Sequence, residues 1–303
     1  MPTYRPESIQ LNIIHVQQLS KLPWLVHGFS TRVGGFSKAY GKGSLNLGFT
    51  ADDSRTAVER NRAAFLNQVG AATKQSDAAA KRNKESKLWP LVALRQIHSD
   101  IIHLIDSPPE SPLVGDGLIT STSVLLLAIQ TADCLPVILV DSKRHAVGVF
   151  HAGWRGTFKR IVEKGVGEMR RFFDSRPRDL HAAIGPGIHG CCYAVGEEVR
   201  AKFESQFAYA GKLFREVKDS DPVREKYPLL FLTARAPGHS ELPKRIFLDL
   251  VEANRQQLLS VGVLARNIEA SDLCTNCRTD LLFSYRGEKG RTGRMMGVVG
   301  VRN

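Results

Sequence analysis

Three short stretches of this chain carry side chains that bind metals or move protons, and each lies at the end of an apolar run. Gln96-Ile97-His98 follows residues 91–95. Thr131-Ala132-Asp133-Cys134-Leu135-Pro136 joins two apolar runs. His151-Ala152-Gly153-Trp154-Arg155-Gly156-Thr157 closes another. Strand ends are where a rigid sheet presents loops for function. Two imidazoles and one thiolate, from His98, Cys134 and His151, suit zinc, and three protein ligands leave a fourth position for water or substrate, the catalytic arrangement. The wide separations exclude a compact zinc finger but not a centre assembled by the fold. Spacing alone equally leaves each of the three as a packing or surface residue. Asp133 is the acid nearest to these groups in sequence and the candidate general acid.

The third stretch also offers an anion site. Gly153 and Gly156 allow a tight turn, the predicted helix behind them presents free N–H groups and a positive dipole end, and Arg155 adds a forked donor that matches phosphate or carboxylate. The alternative is an ordinary strand-to-helix turn with Arg155 in solvent. Phe283-Ser284-Tyr285-Arg286, with Arg291-Thr292-Gly293-Arg294, gathers more basic and hydroxyl groups. That stretch reads equally as an anion contact or a solvated basic edge. Glycine-punctuated turns recur at residues 27–35, which include Arg32, at 44–48, which include Asn46, and at Gly185-Pro186-Gly187.

The five cysteines are Cys134, Cys191, Cys192, Cys274 and Cys277. An odd number with one adjacent pair is a poor disulfide framework. Cys274-Thr-Asn-Cys277 is one CxxC without a second pair, so it reads as an unligated thiol pair rather than a metal site.

The elements that must position these residues are strands and helices in mixed order. Apolar runs near residues 11–15, 91–95, 101–105, 117–120, 124–130, 136–141 and 146–151 read as strands, and several lack alternation, which predicts that both faces are covered. Helices are predicted over about 54–69, with Gly70 as the stop, and about 157–173, where Gly165 and Gly167 weaken the pattern. Two more carry Val199, Phe203 and Phe207, and Leu250, Val251, Leu258 and Leu259. No strict βαβ alternation appears, so the expected fold is a layered mixed-sheet α/β or α+β domain with flanking helices. One domain over residues 1–303 is expected, with polar surface insertions at about 71–87 and 218–243.

Composition narrows the function classes. The chain has 303 residues, 43% hydrophobic and 24% charged, which is ordinary globular composition. No apolar run approaches the roughly 20 residues of a helical span, and no charged-then-apolar leader opens the chain, so a cytoplasmic location is expected. The net charge of +12 permits nucleic acid or an anionic substrate as partner. Part of it sits in Lys74, Lys81, Arg82, Lys84 and Lys87, inside the first insertion, and no nucleic-acid motif is present, so a nucleic-acid partner is not expected.

Taken together, HGFSTRVGG, SLNLG, Asn61-Arg62, QIHSD, DGLIT, TADCLPVIL, HAGWRGT, AAIGPGIHGCCYAVG, LDL at 248–250 and FSYRGEKGRTGR occur in one order from about residue 27 to 297. This pattern resembles the laccase-domain family, also described as multi-copper polyphenol oxidase-like or YfiH-like. The resemblance implies a zinc site on His98, Cys134 and His151, with copper as the other metal. Beside it Arg32, Asn46, Gly153 and Arg286 are the candidate substrate contacts, Arg286 or Arg32 assisting Arg155 on phosphate. It implies purine nucleoside phosphorylase activity, in which adenosine or inosine and phosphate give free base and ribose 1-phosphate. Methylthioadenosine phosphorolysis and adenosine deamination accompany it among similar proteins. It also implies a fold related to cysteine hydrolases and a homodimer. Two positions depart from the family pattern: Ala194 stands where Glu is usual, and Gly287 follows Arg286 where a second Arg is usual.

Three other readings use the same residues or the charge. Cys134 as nucleophile with His151 as base gives a cysteine hydrolase or deamidase. A copper-dependent polyphenol oxidase is disfavoured because the nine histidines include no His-x-His pair. A non-enzymatic nucleic-acid binder rests on net charge alone.

Overall fold

The computed structural model describes residues 11–73, 87–218 and 244–303. Both expected insertions, and the basic stretch within the first, lie almost entirely outside the described residues. In chain order, the elements that position the site are β1 (Leu25–Ser30), α1 (Arg55–Val69), β2 (Leu91–Ala93), β3 (Ile102–Leu104), β4 (Gly117–Thr120), β5 (Leu125–Thr131), β6 (Leu135–Asp141) and β7 (Ala146–Ala152). They continue with α2 (Trp154–Phe158), α3 (Ile161–Phe173), β8 (Leu180–Ile184), α4 (Glu197–Gln206), α5 (Leu250–Ser260), β9 (Ile268–Ala270) and β10 (Met295–Val301).

Two mixed sheets form the centre. One runs β1-β10-β5-β2, with the short strand Ile13–Ile14 outside β1, and the other runs β9-β8-β6-β7-β4-β3. The apolar strands lack alternation because each feeds two cores. In β5, Leu125, Leu127 and Ile129 pack between the sheets, against Ile138 and Val140 of β6 and Val147 and Val149 of β7. Leu126 and Ala128 turn the other way, onto Phe65 and Leu66 of α1. In β6, Leu135, Val137 and Leu139 face Met169 of α3, Phe203 of α4 and Leu258 of α5. The result is helix, sheet, sheet and helices in layers, the mixed α+β class expected. A small third sheet joins Ala194–Val195, Lys244–Leu248 and Phe214–Lys218.

Helix α1 obeys its sequence signals. Ser54 caps it by accepting the Ala57 N–H, and Gly70 ends it in the left-handed region at φ 85°. The helix expected over 157–173 is instead two, α2 and α3, broken at Arg160, whose φ is 63°. The Thr157 carbonyl, which a continuous helix would use, accepts the Gln257 side-chain amide of α5 at 2.6 Å, and Arg160 is held by Glu163 and the Gln206 carbonyl.

The two glycines of α3 differ in kind. A Cβ on Gly165 would sit 2.5 Å from the Phe150 ring of β7, whereas one on Gly167 would meet nothing within 4 Å. Gly165 therefore sets how closely α3 rides on β7. Gly165→Ala is expected to destabilise by about 1–3 kcal/mol through overpacking. Gly167→Ala should stabilise by about 0.5–1 kcal/mol by restoring helix propensity. Denaturant melts of the two variants check this. Equal shifts of the same sign would contradict the assigned packing.

Candidate metal centre

The chain crosses from one sheet to the other between β5 and β6, and the crossing places Ala132, Asp133 and Cys134 at one end of both sheets. His151 sits beside it, paired with Pro136 across the β6–β7 ladder. His98 arrives from the loop after β2 in a left-handed conformation, φ 58°, which histidine tolerates better than most residues. Three donors distant in sequence thus meet. The His98 Nε2 lies 3.9 Å from the Cys134 Sγ, the two imidazoles are 4.9 Å apart edge to face, and the three ligand atoms lie within 4.8 Å of one another. His98 is exposed, Cys134 half-buried and His151 buried, so the centre opens on the His98 side. Gly153 makes this approach feasible, because a Cβ there would stand 2.8 Å from the Cys134 sulfur.

One residue that sequence reasoning did not single out organises the centre. Asp116, fully buried at the start of the DGLIT stretch, accepts the backbone N–H groups of Ile97, His98 and Ser99 at 3.2, 3.0 and 2.6 Å, and the Ser99 hydroxyl at 2.6 Å. Its Oδ1 also takes the His151 Nδ1–H at 2.8 Å. That bond fixes the tautomer and leaves Nε2 as the ligand atom. Burial alone would push the Asp116 carboxyl up, but hydrogen bonds from His151 and Ser99 outweigh it and hold it far below the usual carboxylate range. Burial likewise pushes the Cys134 thiol up, yet the His151 charge and the hydrogen bonds from His151 and His98 bring it well down. For His151 the burial penalty is overcome by Cys134 and Asp116, which raise it. A thiolate facing two imidazoles, one oriented by a carboxylate, is a donor set that can hold a metal ion and leave one position open.

The centre lies in the wall of a cavity of about 600 Å³, within the range that holds a small-molecule ligand. Arg155, Arg286 and Arg294 line it with Trp154, Tyr193 and Tyr285. The Arg155 guanidinium stacks on Trp154 at 4.5 Å. Because α2 has only five residues, this side chain rather than a long helix dipole brings the positive charge. Arg286 donates to the Ala194 carbonyl at 3.0 Å, so the contact at this departure from the family pattern uses backbone and needs no Glu side chain. Burial pushes the Tyr193 hydroxyl up, so it stays protonated at neutral pH.

Asp133 lines the cavity too, but its carboxylate accepts the Thr275 and Ser284 hydroxyls at 2.6 and 2.7 Å and the Arg286 N–H at 2.6 Å. With three donors aimed at it, Asp133 clamps the 275–286 loop from inside the cavity lining. Arg32 and Asn46 are not brought to the cavity. Arg32 donates to the Thr279 and Tyr40 carbonyls and pairs with Glu288 at 3.0 Å. Asn46 is buried and joins Gly48, Asp53 and the Arg294 N–H. Both brace the loops behind the cavity.

Comparison with known proteins agrees with this architecture. The family described as multi-copper polyphenol oxidoreductase laccase matches residues 26–302. A purine nucleoside phosphorylase of Deinococcus radiodurans is 34% identical over 278 residues, 91% of this chain and 88% of that protein. A protein named adenosine deaminase, from an unknown prokaryotic organism, is 34% identical over 213 residues, 67% of this chain and 72% of that one. Among solved structures, the hypothetical protein YfiH of Bacillus licheniformis superposes with a TM-score of 0.76 at 30% identity, covering 99% of this chain and 100% of that one.

Proposed function

The chain belongs to the multi-copper polyphenol oxidoreductase laccase family, and from that membership and the cavity chemistry we propose that it is a zinc-dependent purine nucleoside phosphorylase. Its substrates are adenosine or inosine with phosphate, and methylthioadenosine phosphorolysis and adenosine deamination share the site. The observation that carries the reading is the meeting, in one cavity, of the His98, Cys134 and His151 donors with Arg155 and Arg286. Relatives named for both nucleoside reactions support it.

In phosphorolysis a phosphate oxygen attacks C1′ of the ribose, the C1′–N9 bond breaks, and the base leaves with that electron pair and takes up a proton. Arg155 and Arg286 hold the phosphate and neutralise it as it approaches. The rings of Trp154, Tyr193 and Tyr285 cover the base and exclude water. In deamination water replaces the C6 amino group and ammonia leaves. Zinc, held by His98, Cys134 and His151, supplies Lewis-acid polarisation of a substrate or water oxygen. The same three donors accept copper, so metal analysis of the purified protein accompanies every assay.

Chromatography of adenosine incubated with and without phosphate tests the reading. Phosphate-dependent adenine is expected. Inosine formed without phosphate would mark deamination at the same centre, and no turnover in either tube would overturn the proposal. Alanine at Arg155 or Arg286 removes a charge-assisted hydrogen bond of about 1.5–3 kcal/mol. The KM for phosphate should therefore rise about 10–100-fold with a smaller effect on the KM for nucleoside. Steady-state kinetics with each substrate varied in turn would expose an equal rise in both, which would remove the arginines from phosphate binding.

A further inference from the structure

We propose a second, closed metal site that binds a single zinc ion through four thiolates, those of Cys191, Cys192, Cys274 and Cys277. The sequence shows only one CxxC, and its second pair is the adjacent Cys191-Cys192, far upstream. The fold explains the meeting. Strands β8 and β9 run parallel, with Ala182 beside Ile268 and Ile184 beside Ala270, so the chain leaves both at the same end. The loops that follow stay together through a bridge between Gly187 and Cys274 and the Thr275 N–H on the Gly187 carbonyl at 3.0 Å.

The sulfur geometry is that of a single ion. A zinc–thiolate bond of about 2.3 Å in a tetrahedron gives sulfur–sulfur edges of about 3.8 Å. Cys191 and Cys192 are 3.6 Å apart, Cys191 and Cys277 3.6 Å, and Cys192 and Cys277 3.3 Å. All four sulfurs lie within 4.8 Å of one another. None of the five cysteines of the chain forms a disulfide. The Cys274 sulfur also accepts the His189 N–H at 3.5 Å, the kind of backbone contact that supports a ligating thiolate. Four thiolates and no open position make a structural rather than a catalytic site.

The position gives the ion a task. Tyr193, next to Cys192, lines the nucleoside cavity, and Thr275, next to Cys274, holds Asp133, which precedes the ligand Cys134. Zinc at the four thiolates ties together the two loops that form this wall. The proposal does not depend on the nucleoside reading, because its test counts metal and thiols rather than turnover.

Three proteins decide it: the wild type, Cys277→Ser and His98→Asn, each purified with zinc and also loaded with cobalt(II). Cys277 is exposed, so serine there disturbs no packed contact. Wild type should carry about two zinc per chain and each variant about one. Cobalt loading should give an intense near-ultraviolet thiolate charge-transfer band that keeps its four-sulfur share in His98→Asn and falls to the single-thiolate share of Cys134 in Cys277→Ser. A thiol reagent should modify the cluster cysteines of the native protein only after chelation. Full zinc content in Cys277→Ser would overturn the site. So would immediate titration of all four thiols in wild type, or a mass two units low, which would mark a disulfide.

Discussion

Asparagine in place of His98 is expected to remove about one metal equivalent per chain and to lower kcat/KM for nucleoside phosphorolysis by about 10³-fold, with the fold intact. The centre has three protein donors, so losing one leaves two, too few to retain a divalent ion against water. His98 is the donor to change because it is exposed. His151 is buried against Asp116, and alanine there would add an uncompensated carboxylate to the loss of the ligand. The choice of asparagine follows from the backbone. Position 98 is left-handed at φ 58°, a conformation asparagine accepts and alanine resists. The loop should therefore keep its three N–H bonds to Asp116. Metal analysis, circular dichroism and kinetics on one preparation check the result. Undiminished turnover by metal-depleted His98→Asn would sink the zinc-dependent scheme and return attention to Cys134 as a nucleophile, the reading in which His98 has no part.

The fold was legible wherever local chemistry and tertiary packing agree. Ser54 and Gly70 bound α1 by capping, a purely local effect, and the continuous apolar runs of β5, β6 and β7 reflect cores on both faces. The break at Arg160 was not legible, because its cause, Gln257 on the Thr157 carbonyl, comes from α5, distant in sequence. The metal donors could be picked out one by one as His and Cys at strand ends, but only the crossing between sheets brings them together. Arg32 and Arg155 show the limit from the other side. Each is a basic residue in a glycine-rich turn, yet the guanidinium of Arg32 is occupied by loop carbonyls and Glu288, whereas that of Arg155 faces the cavity. Asp116 left only a weak signal, an Asp-Gly step before a strand, since its importance lies in donors that the fold gathers around it.

Those donors make Asp116→Asn the most informative change outside the ligand set. The five contacts divide between the two carboxylate oxygens. Oδ1 serves the His98 N–H and His151 Nδ1, and Oδ2 serves the Ile97 and Ser99 N–H groups and the Ser99 hydroxyl. Asparagine keeps one acceptor and turns the other into an NH₂ donor. With NH₂ on the Oδ2 side, it would face two backbone N–H groups that cannot reverse. With NH₂ on the Oδ1 side it meets only one such group, and His151 can respond by moving its own proton. The second orientation wins, and it makes Nδ1 the acceptor and moves the proton to Nε2, the atom that must bind metal. The variant should thus fold, losing about 1–3 kcal/mol for the unpaired His98 N–H, while holding zinc about 10–100-fold more weakly. Activity should fall with zinc occupancy and recover substantially in excess zinc, whereas His98→Asn should not recover. Chelator competition gives the affinity and a zinc titration of turnover gives the rescue. A zinc affinity equal to wild type would mean that the tautomer of His151 is set by something other than Asp116.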